Sequence, residues 1–235
     1  MKQLGHVSGA LIVVACTLLF SGCAALLAEL QSQDPADLST PADGLREALR
    51  VGTGRAVEQL GRADGYLGVV DLRIPVPDKL DKIAGALRAI GADDYVNDFV
   101  TSMNRAAEAA APVARGVFVD SIREMTFSDA MTILRGHEHE ATDYFHEQAG
   151  PRLADLFRPI VEEKLGAVGA TRSFSELMDQ TSRLPFVGRP AFDLTSYVTD
   201  RALDGLFLTI AKEEERIRHD PIARTTELLK RYFGK

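Results

Sequence analysis

Apolar residues recur every three or four positions along most of the chain after residue 40, which is the period of amphipathic α-helices. In residues 41–60 leucine and alanine fall on one helix face, and Gly61 follows as a typical helix end. The longest helical pattern spans residues 93–125 and contains Pro112. Because proline has no N–H to donate to the carbonyl four residues before it, we expect a kink or break there. The remaining helices are predicted over residues 78–90, 126–135, 138–148, 151–165, 173–181, 195–218 and 221–233.

Residues 66–77 are the one stretch in which the apolar pattern permits a strand. Pro75 and Pro77 exclude a central strand, so we expect an extended segment or at most a short hairpin. Residues 197–211 are apolar on nearly all sides, which is typical of a central core helix. Together these patterns predict an all-α fold: a single multi-helix, bundle-like domain over residues 40–235, with kinked helices and one extended, proline-flanked segment.

The N-terminal segment resembles the signal sequence of bacterial lipoproteins. Lys2 precedes an apolar run over residues 10–20. The run has about the length of the apolar region of a secretory signal and is shorter than the roughly 20 residues that span a membrane. It ends at the small residues Ser21 and Gly22, which Cys23 follows. This order resembles the lipobox, in which small residues precede the cysteine that receives the acyl chains.

The lipobox resemblance implies a division of the N-terminal region. Residues 1–22 are predicted to be a cleaved lipoprotein signal peptide, and residues 23–39 a tether that attaches to the membrane through acyl chains on Cys23. An ordinary signal peptide with an incidental cysteine is the alternative. Ala24, rather than aspartate, follows the cysteine. By resemblance to Gram-negative lipoproteins, this implies sorting to the outer membrane, facing the periplasm.

Charge, cysteine content and missing motifs exclude several classes of protein. The chain has 27 Lys+Arg against 34 Asp+Glu, and its net charge of -7 argues against a nucleic-acid partner, because neutralising phosphates requires clustered basic residues. Two cysteines are too few for a disulfide scaffold or a Cys-rich zinc site. The sequence contains neither a Gly-x-Ser-x-Gly nucleophile elbow nor a phosphate-binding loop after a strand. We therefore predict no catalytic residue, no cofactor and no enzymatic activity.

Three groups of polar residues at helical spacing are candidates for a site. The first group consists of His139, Asp143 and His146, at positions i, i+4 and i+7 of a helix. Side chains in this arrangement can bind a divalent metal ion. A solvated polar stripe explains the same pattern and is the interpretation that we favour, so no metal site is predicted.

The second group contains Asn104, Arg105 and Glu108, with Thr101 one turn earlier on the same face. It lies one turn before Pro112, where a kink would free a carbonyl. One hypothesis is a binding site at this kink. A surface ion pair between Arg105 and Glu108, worth less than about 1 kcal/mol, is the alternative that we favour.

The third group lies where the core helix is predicted to meet the last helix, and it comprises Glu214, Arg218, Asp220, Arg224 and Thr225. Asp220 precedes a proline and is a natural helix N-cap. The two arginines flank this turn and can clamp an anion or an acidic partner. A network that ties down the C-terminal helix needs the same residues and is the interpretation that we favour.

Short segments distributed along the chain carry a further resemblance. They include Ile-Pro-Val-Pro at residues 74–77, Met-Asn-Arg-Ala-Ala-Glu at 103–108 and Ala-Arg-Thr-Thr at 223–226. Other matching segments lie within residues 44–49, 129–134, 141–145, 157–161, 197–207 and 217–230. With these segments the chain is similar to DUF4197, a family of uncharacterised bacterial lipoproteins. The resemblance covers nearly the whole chain after Cys23 and implies no activity, because none is established for the family.

These observations leave three functional hypotheses. The leading one is a non-enzymatic, lipid-anchored envelope protein that acts as a binding or scaffolding module for an envelope protein partner. The alternative is a helical carrier of a small apolar ligand or lipid, which needs a cavity of about 300 Å³ or more. The second alternative is a carboxylate-dependent hydrolase of envelope material, with Glu108 and Glu214 within roughly 5–10 Å of each other. Neither the partner nor the oligomeric state follows from the sequence.

Overall fold

A computed structural model describes residues 40–167, 169–181 and 192–219. Within these ranges all regular structure is helical, and the prediction of an all-α fold is confirmed. Two short 3-10 helices, Asp78–Leu80 and Ala111–Val113, accompany the α-helices. The α-helices of the described residues are α1 (Pro41–Leu60), α2 (Asp81–Ala89), α3 (Asp93–Ala110), α4 (Ala114–Glu124), α5 (Phe127–Arg135), α6 (Glu140–Ala167), α7 (Ala170–Thr181) and α8 (Leu194–His219). The predictions for residues 1–39 and for a helix over 221–233 lie outside these ranges.

The core forms where α8 packs against α1 and α6, and where α3 packs against α6 and α7. Its largest fully buried side chains are aromatic: Tyr66, Phe99, Phe118, Phe145 and Phe157. The prediction of a core helix near residues 197–211 is correct for most of α8. One side of that helix is nevertheless exposed, because Asp200, Asp204 and Leu208 face outward.

Two glycines permit the closest approaches to α8. A Cβ at Gly52 of α1 would lie 3.2 Å from Ile217 Cδ1, so α1 and α8 pack with little space between them. A Cβ at Gly205 would lie 2.7 Å from Cε1 of Tyr66, whose ring occupies the position next to α8. The Tyr66 hydroxyl donates a hydrogen bond to the Ala202 carbonyl at 2.8 Å. The loop that carries Tyr66 is therefore packed into the core.

Local signals predicted most helix ends correctly. The helix over residues 93–125 breaks at Pro112, where α3 ends, a 3-10 turn follows and α4 begins. Thr126 and Asp129 form a reciprocal capping box at the start of α5, with hydrogen bonds of 2.9 and 3.1 Å. Gly91, with φ of 75°, follows α2 in the left-handed conformation that glycine adopts without strain.

The predicted division into helices at 138–148 and 151–165 is wrong. Pro151 and Pro159 both lie inside the continuous helix α6. Each proline removes one backbone hydrogen bond, and both prolines are exposed, so water can solvate the freed carbonyls. The opposite face of α6 buries Phe145, Leu153 and Phe157, and this packing outweighs the two lost bonds.

Residues 61–77, which we call the 61–77 loop, differ in part from the expectation. Residues 61–72 form successive turns, and only residues 73–77 are extended, in agreement with the two prolines there. The described residues contain no strand, so the hairpin considered for residues 66–77 is not formed. In the same residues no helix combines the length and the hydropathy that crossing a membrane requires.

Candidate functional site

Asn104 holds the extended part of the 61–77 loop. Its side chain is fully buried on α3. Asn104 Nδ2 donates to the carbonyls of Ile74 and Val100 at 2.9 and 2.8 Å, and its Oδ1 accepts from the Ile74 N–H at 2.9 Å. The amide therefore pairs with both backbone groups of Ile74, as a neighbouring strand would.

Glu108 holds the first part of the same loop. Its carboxylate is 4% exposed, and its Oε1 accepts from the Tyr66 and Leu67 N–H groups at 3.2 and 3.1 Å. Its Oε2 accepts from Arg105 at 2.6 Å, and Arg105 also donates to Asp64 at 2.8 Å. Hydrogen bonds to these two carboxylates raise the pKa of Arg105. The predicted ion pair between Arg105 and Glu108 is present, but it is not a surface pair on both sides, because the Glu108 carboxylate is buried and also binds the loop backbone.

Glu214 of α8 caps the N-terminus of α6. Its two carboxylate oxygens accept from the N–H groups of Ala141 and Thr142 at 3.0 and 2.9 Å and from the Thr142 hydroxyl at 2.8 Å. Arg218 donates to the same carboxylate at 2.7 and 3.1 Å and to the Ile133 carbonyl at 3.0 Å. A negative charge at this position satisfies free N–H groups and complements the dipole of α6.

Among the described residues, the Arg105 and Arg218 groups bind different parts of the chain. Arg105 and Glu108 bind residues 64–67, whereas Glu214 and Arg218 bind α6 and the end of α5. On α8, Glu214 is twelve residues from Ala202, to which the Tyr66 hydroxyl binds, so the two positions lie about 18 Å apart along the helix. The carboxylates of Glu108 and Glu214 thus serve two separate helix-to-backbone contacts. Asp220, Arg224 and Thr225, like Cys23, lie outside the described residues.

Two residues of the first polar group, His139 and Asp143, contact His137, whereas His146 packs against α8. His137 lies 3.2 Å from the carboxylate of Asp143, and His146 packs its ring 4.7 Å from the ring of Phe207. His139 donates its backbone N–H to His137 Nδ1 at 3.2 Å. In the described part of the chain, no three His, Cys, Asp or Glu side chains are grouped as metal ligands.

Two open grooves on the described part of the chain are wide enough to hold a ligand. The first, the α6–α8 groove, has a volume of about 530 Å³. Its floor and walls are apolar or small, with Phe207 and Leu203 from α8, and its rim carries Glu147, Asp200 and Asp204. The side chains of Glu147 and Asp200 form no ion pair with other described residues, and Asp204 lies 3.6 Å from Arg201.

The second, the Arg73–Arg88 groove, lies between the 61–77 loop, α2 and α3 and also has a volume of about 530 Å³. Val70, Arg73, Arg88 and Asp81 are among its lining residues. A third, apolar pocket beside Glu214 and Arg218 is much smaller, at about 20 Å³. Both grooves exceed the volume that the carrier hypothesis requires, but both are open to solvent.

A model of one protein family matches residues 36–234 and is described as "Protein of unknown function (DUF4197)". The chain belongs to the DUF4197 family. The match includes Asn104, Glu108, Glu214 and Arg218 and the residues of both grooves, so these features lie inside the DUF4197 domain. No curated protein and no solved structure matches the chain.

The sequence patterns of this DUF4197 protein indicated three of its buried polar residues, Asn104, Glu108 and Glu214, but neither groove. The pair of aspartates at 200 and 204 has the i, i+4 spacing of one helix face, and Arg73 stands beside the prolines of the extended segment. These signals are present in the sequence. They indicate a groove only once it is known that α6 lies beside α8 and that α2 lies beside the loop.

Glu213 is a further buried acid of the DUF4197 domain. It is 6% exposed and lies 3.0 Å from Arg216 and 3.9 Å from Arg55. Burial raises the pKa of Glu213, and the two arginines oppose this increase. The ionised form of Glu213 is therefore less favourable in the folded state than in the unfolded state.

We expect Glu213→Gln to stabilise the protein at neutral pH. The unfolded chain loses the proton at the ordinary pKa, whereas the folded chain holds it to a higher pH. The contribution of Glu213 to stability is thus fully present below the ordinary pKa and is lost as the pH rises through the folded-state pKa. Urea unfolding at about pH 4 and about pH 7 measures this difference.

The exposed neighbour Glu215 provides the matched control. Glu215→Gln should leave the urea midpoint nearly unchanged at both pH values. If Glu213→Gln raises the midpoint no more at pH 7 than at pH 4, the proposed effect of burial is contradicted.

Proposed function

We propose that this DUF4197 protein is a non-enzymatic, lipid-anchored envelope protein that acts as a binding or scaffolding module. Ser21, Gly22 and Cys23 after the apolar N-terminal run support a lipid anchor, with residues 1–22 as a cleaved signal peptide. Ala24 supports a location at the outer membrane, facing the periplasm. In this arrangement the domain is held at the membrane surface and binds an envelope protein partner.

The observation that carries the binding role is the α6–α8 groove. Phe207 and Leu203 supply an apolar floor, and Leu208, which is 40% exposed, directly follows Phe207 on α8. Gly150 opens the groove on the α6 side, since a Cβ there would meet no atom within 4 Å. A groove of this size between two helices accommodates the apolar face of a partner helix.

Charge restricts the partner that fits this groove. Glu147, Asp200 and Asp204 surround the apolar floor with carboxylates, and Arg201 neutralises only part of this charge. A segment that presents apolar side chains flanked by lysine or arginine complements both features. An acidic partner would be repelled by the same rim.

The state of the buried carboxylates supports a role without catalysis. Glu108 and Glu214 are the acids that the hydrolase hypothesis requires as a catalytic pair. Each accepts hydrogen bonds from backbone N–H groups and from an arginine of its own helix. Their oxygens are engaged in holding the 61–77 loop and capping α6. This use favours the binding hypothesis over the hydrolase hypothesis.

Filling the α6–α8 groove is expected to abolish partner binding without unfolding the domain. Gly150→Leu places a side chain in open space. It also replaces a glycine inside a helix, where glycine is about 1 kcal/mol less favourable than alanine, so the domain should stay folded. A photo-reactive residue at position 208 should cross-link a partner in intact cells, and Gly150→Leu should reduce that product at least about tenfold.

Gly166→Leu is the control, because Gly166 lies in the same helix and also has open space around its Cα. This variant should retain the cross-linked product. Equal amounts of cross-linked product from Gly150→Leu and Gly166→Leu would show that the α6–α8 groove is not the binding surface, even if the protein is lipid-anchored.

The anchor itself is tested at Cys23. Cys23→Ser should abolish incorporation of labelled fatty acid, because the acyl chains are predicted to be attached to this residue. Cys16→Ser is the control, since Cys16 lies in the segment predicted to be removed. Labelling that persists in the Cys23→Ser protein would contradict the lipid anchor.

A further inference from the structure

We infer that the Arg73–Arg88 groove docks the domain onto the membrane by binding the phosphate head of an anionic phospholipid. The inference rests on the proposed lipid anchor, which places the domain beside that surface. The groove combines unpaired positive charge, an exposed apolar side chain and a rigid backbone, and each of these features is an independent observation.

Two arginines line the groove, and one aspartate offsets only part of their charge. The guanidinium groups of Arg73 and Arg88 are exposed and form no ion pair or hydrogen bond with other described residues. By contrast, Arg105 and Arg218 are both held by carboxylates. Asp81 is the single acid among the residues that line the groove. On a chain of net charge -7, two unpaired arginines at one groove form a local site for an anion.

The apolar part of the groove matches the region just below lipid phosphates. Val70 is 92% exposed, the largest exposure among the large hydrophobic residues in the described part of the chain. It lines the same groove as the two arginines, together with Val76 and Pro75. A fully exposed valine beside arginines can enter the boundary between headgroups and acyl chains while the guanidinium groups stay at the phosphates.

The loop that presents Val70 and Arg73 is held on both sides. Before Val70, Glu108 binds the N–H groups of Tyr66 and Leu67. After Arg73, Asn104 binds both backbone groups of Ile74.

Contacts with α8 hold the loop further. Lys212 lies 2.9 Å from Asp71, and the Tyr197 hydroxyl donates to the Pro75 carbonyl at 3.1 Å. Because the loop is already ordered, little conformational entropy remains to be lost when the groove binds a headgroup. Asn104 and Glu108 are thus positioning residues for this surface.

The length of the predicted tether does not determine which face of the domain contacts the membrane. Seventeen extended residues, 23–39, reach at most about 60 Å. Compact domains of about 200 residues have a radius of gyration of about 16 Å. The tether therefore permits any face of the domain to reach the membrane, and a specific contact is needed to select one.

The experiment uses the mature chain, residues 23–235, with Cys23→Ser, so that acylation does not contribute to binding. Flotation is measured with phosphatidylcholine vesicles that contain either no anionic lipid or about 30 mol% phosphatidylglycerol, at about 0.15 M salt. We expect binding to the anionic vesicles alone. Each of Arg73→Ala and Arg88→Ala should weaken the partition about fivefold, and the double variant about 25-fold.

Arg123→Ala/Arg135→Ala is the matched control, because it removes the same charge from exposed positions on α4 and α5. It should retain nearly full binding. Val70→Ser should weaken binding and leave its salt dependence unchanged. Circular dichroism establishes that every variant is folded.

Three results would overturn the inference. The first is equal partition of the protein into vesicles with and without phosphatidylglycerol. The second is an equal loss of vesicle binding in Arg73→Ala/Arg88→Ala and in Arg123→Ala/Arg135→Ala. The third is binding of soluble dihexanoyl-phosphatidylglycerol without binding to vesicles. Since the chain tested carries no acyl group, failure here leaves the lipid anchor at Cys23 standing. Failure of Cys23 labelling would instead contradict the anchor and leave the vesicle result unaffected.

Discussion

Glu214→Ala should lower the free energy of unfolding by about 3–5 kcal/mol, the usual cost of breaking a buried ion pair by removing one partner. The carboxylate is 6% exposed and accepts from the N–H groups of Ala141 and Thr142. Its removal leaves these donors without a partner at the start of α6. It also removes the carboxylate that lies 2.7 Å from the guanidinium of Arg218, which is 16% exposed.

Urea unfolding measures this loss, and the neighbouring Glu215→Ala is its control. Glu215 is exposed, so its replacement should change the free energy of unfolding by no more than about 0.5 kcal/mol. The free energy of unfolding of Glu214→Gln should fall between those of Glu214→Ala and Glu215→Ala, because an amide oxygen still accepts from the α6 backbone but carries no charge. If Glu214→Ala does not fold, hydrogen exchange of the Ala141 and Thr142 amides in Glu214→Gln provides the test. Unchanged protection of these amides would contradict the capping role.

Asn104→Leu is expected to cost about 2–4 kcal/mol, because a buried backbone group left without a hydrogen bond costs about 1–3 kcal/mol. Leucine branches at Cγ as asparagine does but pairs with neither the N–H nor the carbonyl of Ile74. Both groups belong to a buried residue, so water cannot readily replace the lost partners. The loop that carries Val70 and Arg73 should become mobile as a result.

Two measurements separate this effect from general destabilisation. Asn97→Leu, at an exposed position two turns earlier on α3, should leave the urea midpoint nearly unchanged. Hydrogen exchange in Asn104→Leu should increase most in residues 66–76, because these depend on Asn104 and Glu108. Uniformly increased exchange over all helices would contradict a specific role in holding the loop.

Helix ends were predictable where the deciding contacts are local. Thr126 and Asp129 are three residues apart and cap each other, and Pro112 breaks a helix whose other signals continue through it. Pro151 and Pro159 show the limit of this reasoning. Their local effect is the same as that of Pro112, yet α6 continues because its buried face packs against other helices.

The buried polar residues were found from the sequence, but their roles were not. Asn104, Glu108 and Glu214 were selected because they belong to groups of polar residues at helical spacing. Their partners are 30, 42 and 73 residues away in sequence, at Ile74, Tyr66 and Ala141. A side chain with such distant partners cannot be distinguished from a ligand-binding residue until the packing of the helices is known.

The sequence by itself determined the all-α class, most helix ends, the lipobox-like N-terminus and the DUF4197 resemblance that the family match confirmed. These properties depend on residues that are close together in the chain or on direct similarity of segments. Only the tertiary structure decided that α6 is continuous, that Glu214 caps it and that two grooves open on the surface. Those features depend on donors, carboxylates and apolar faces that come from different helices, and helix packing alone brings them together.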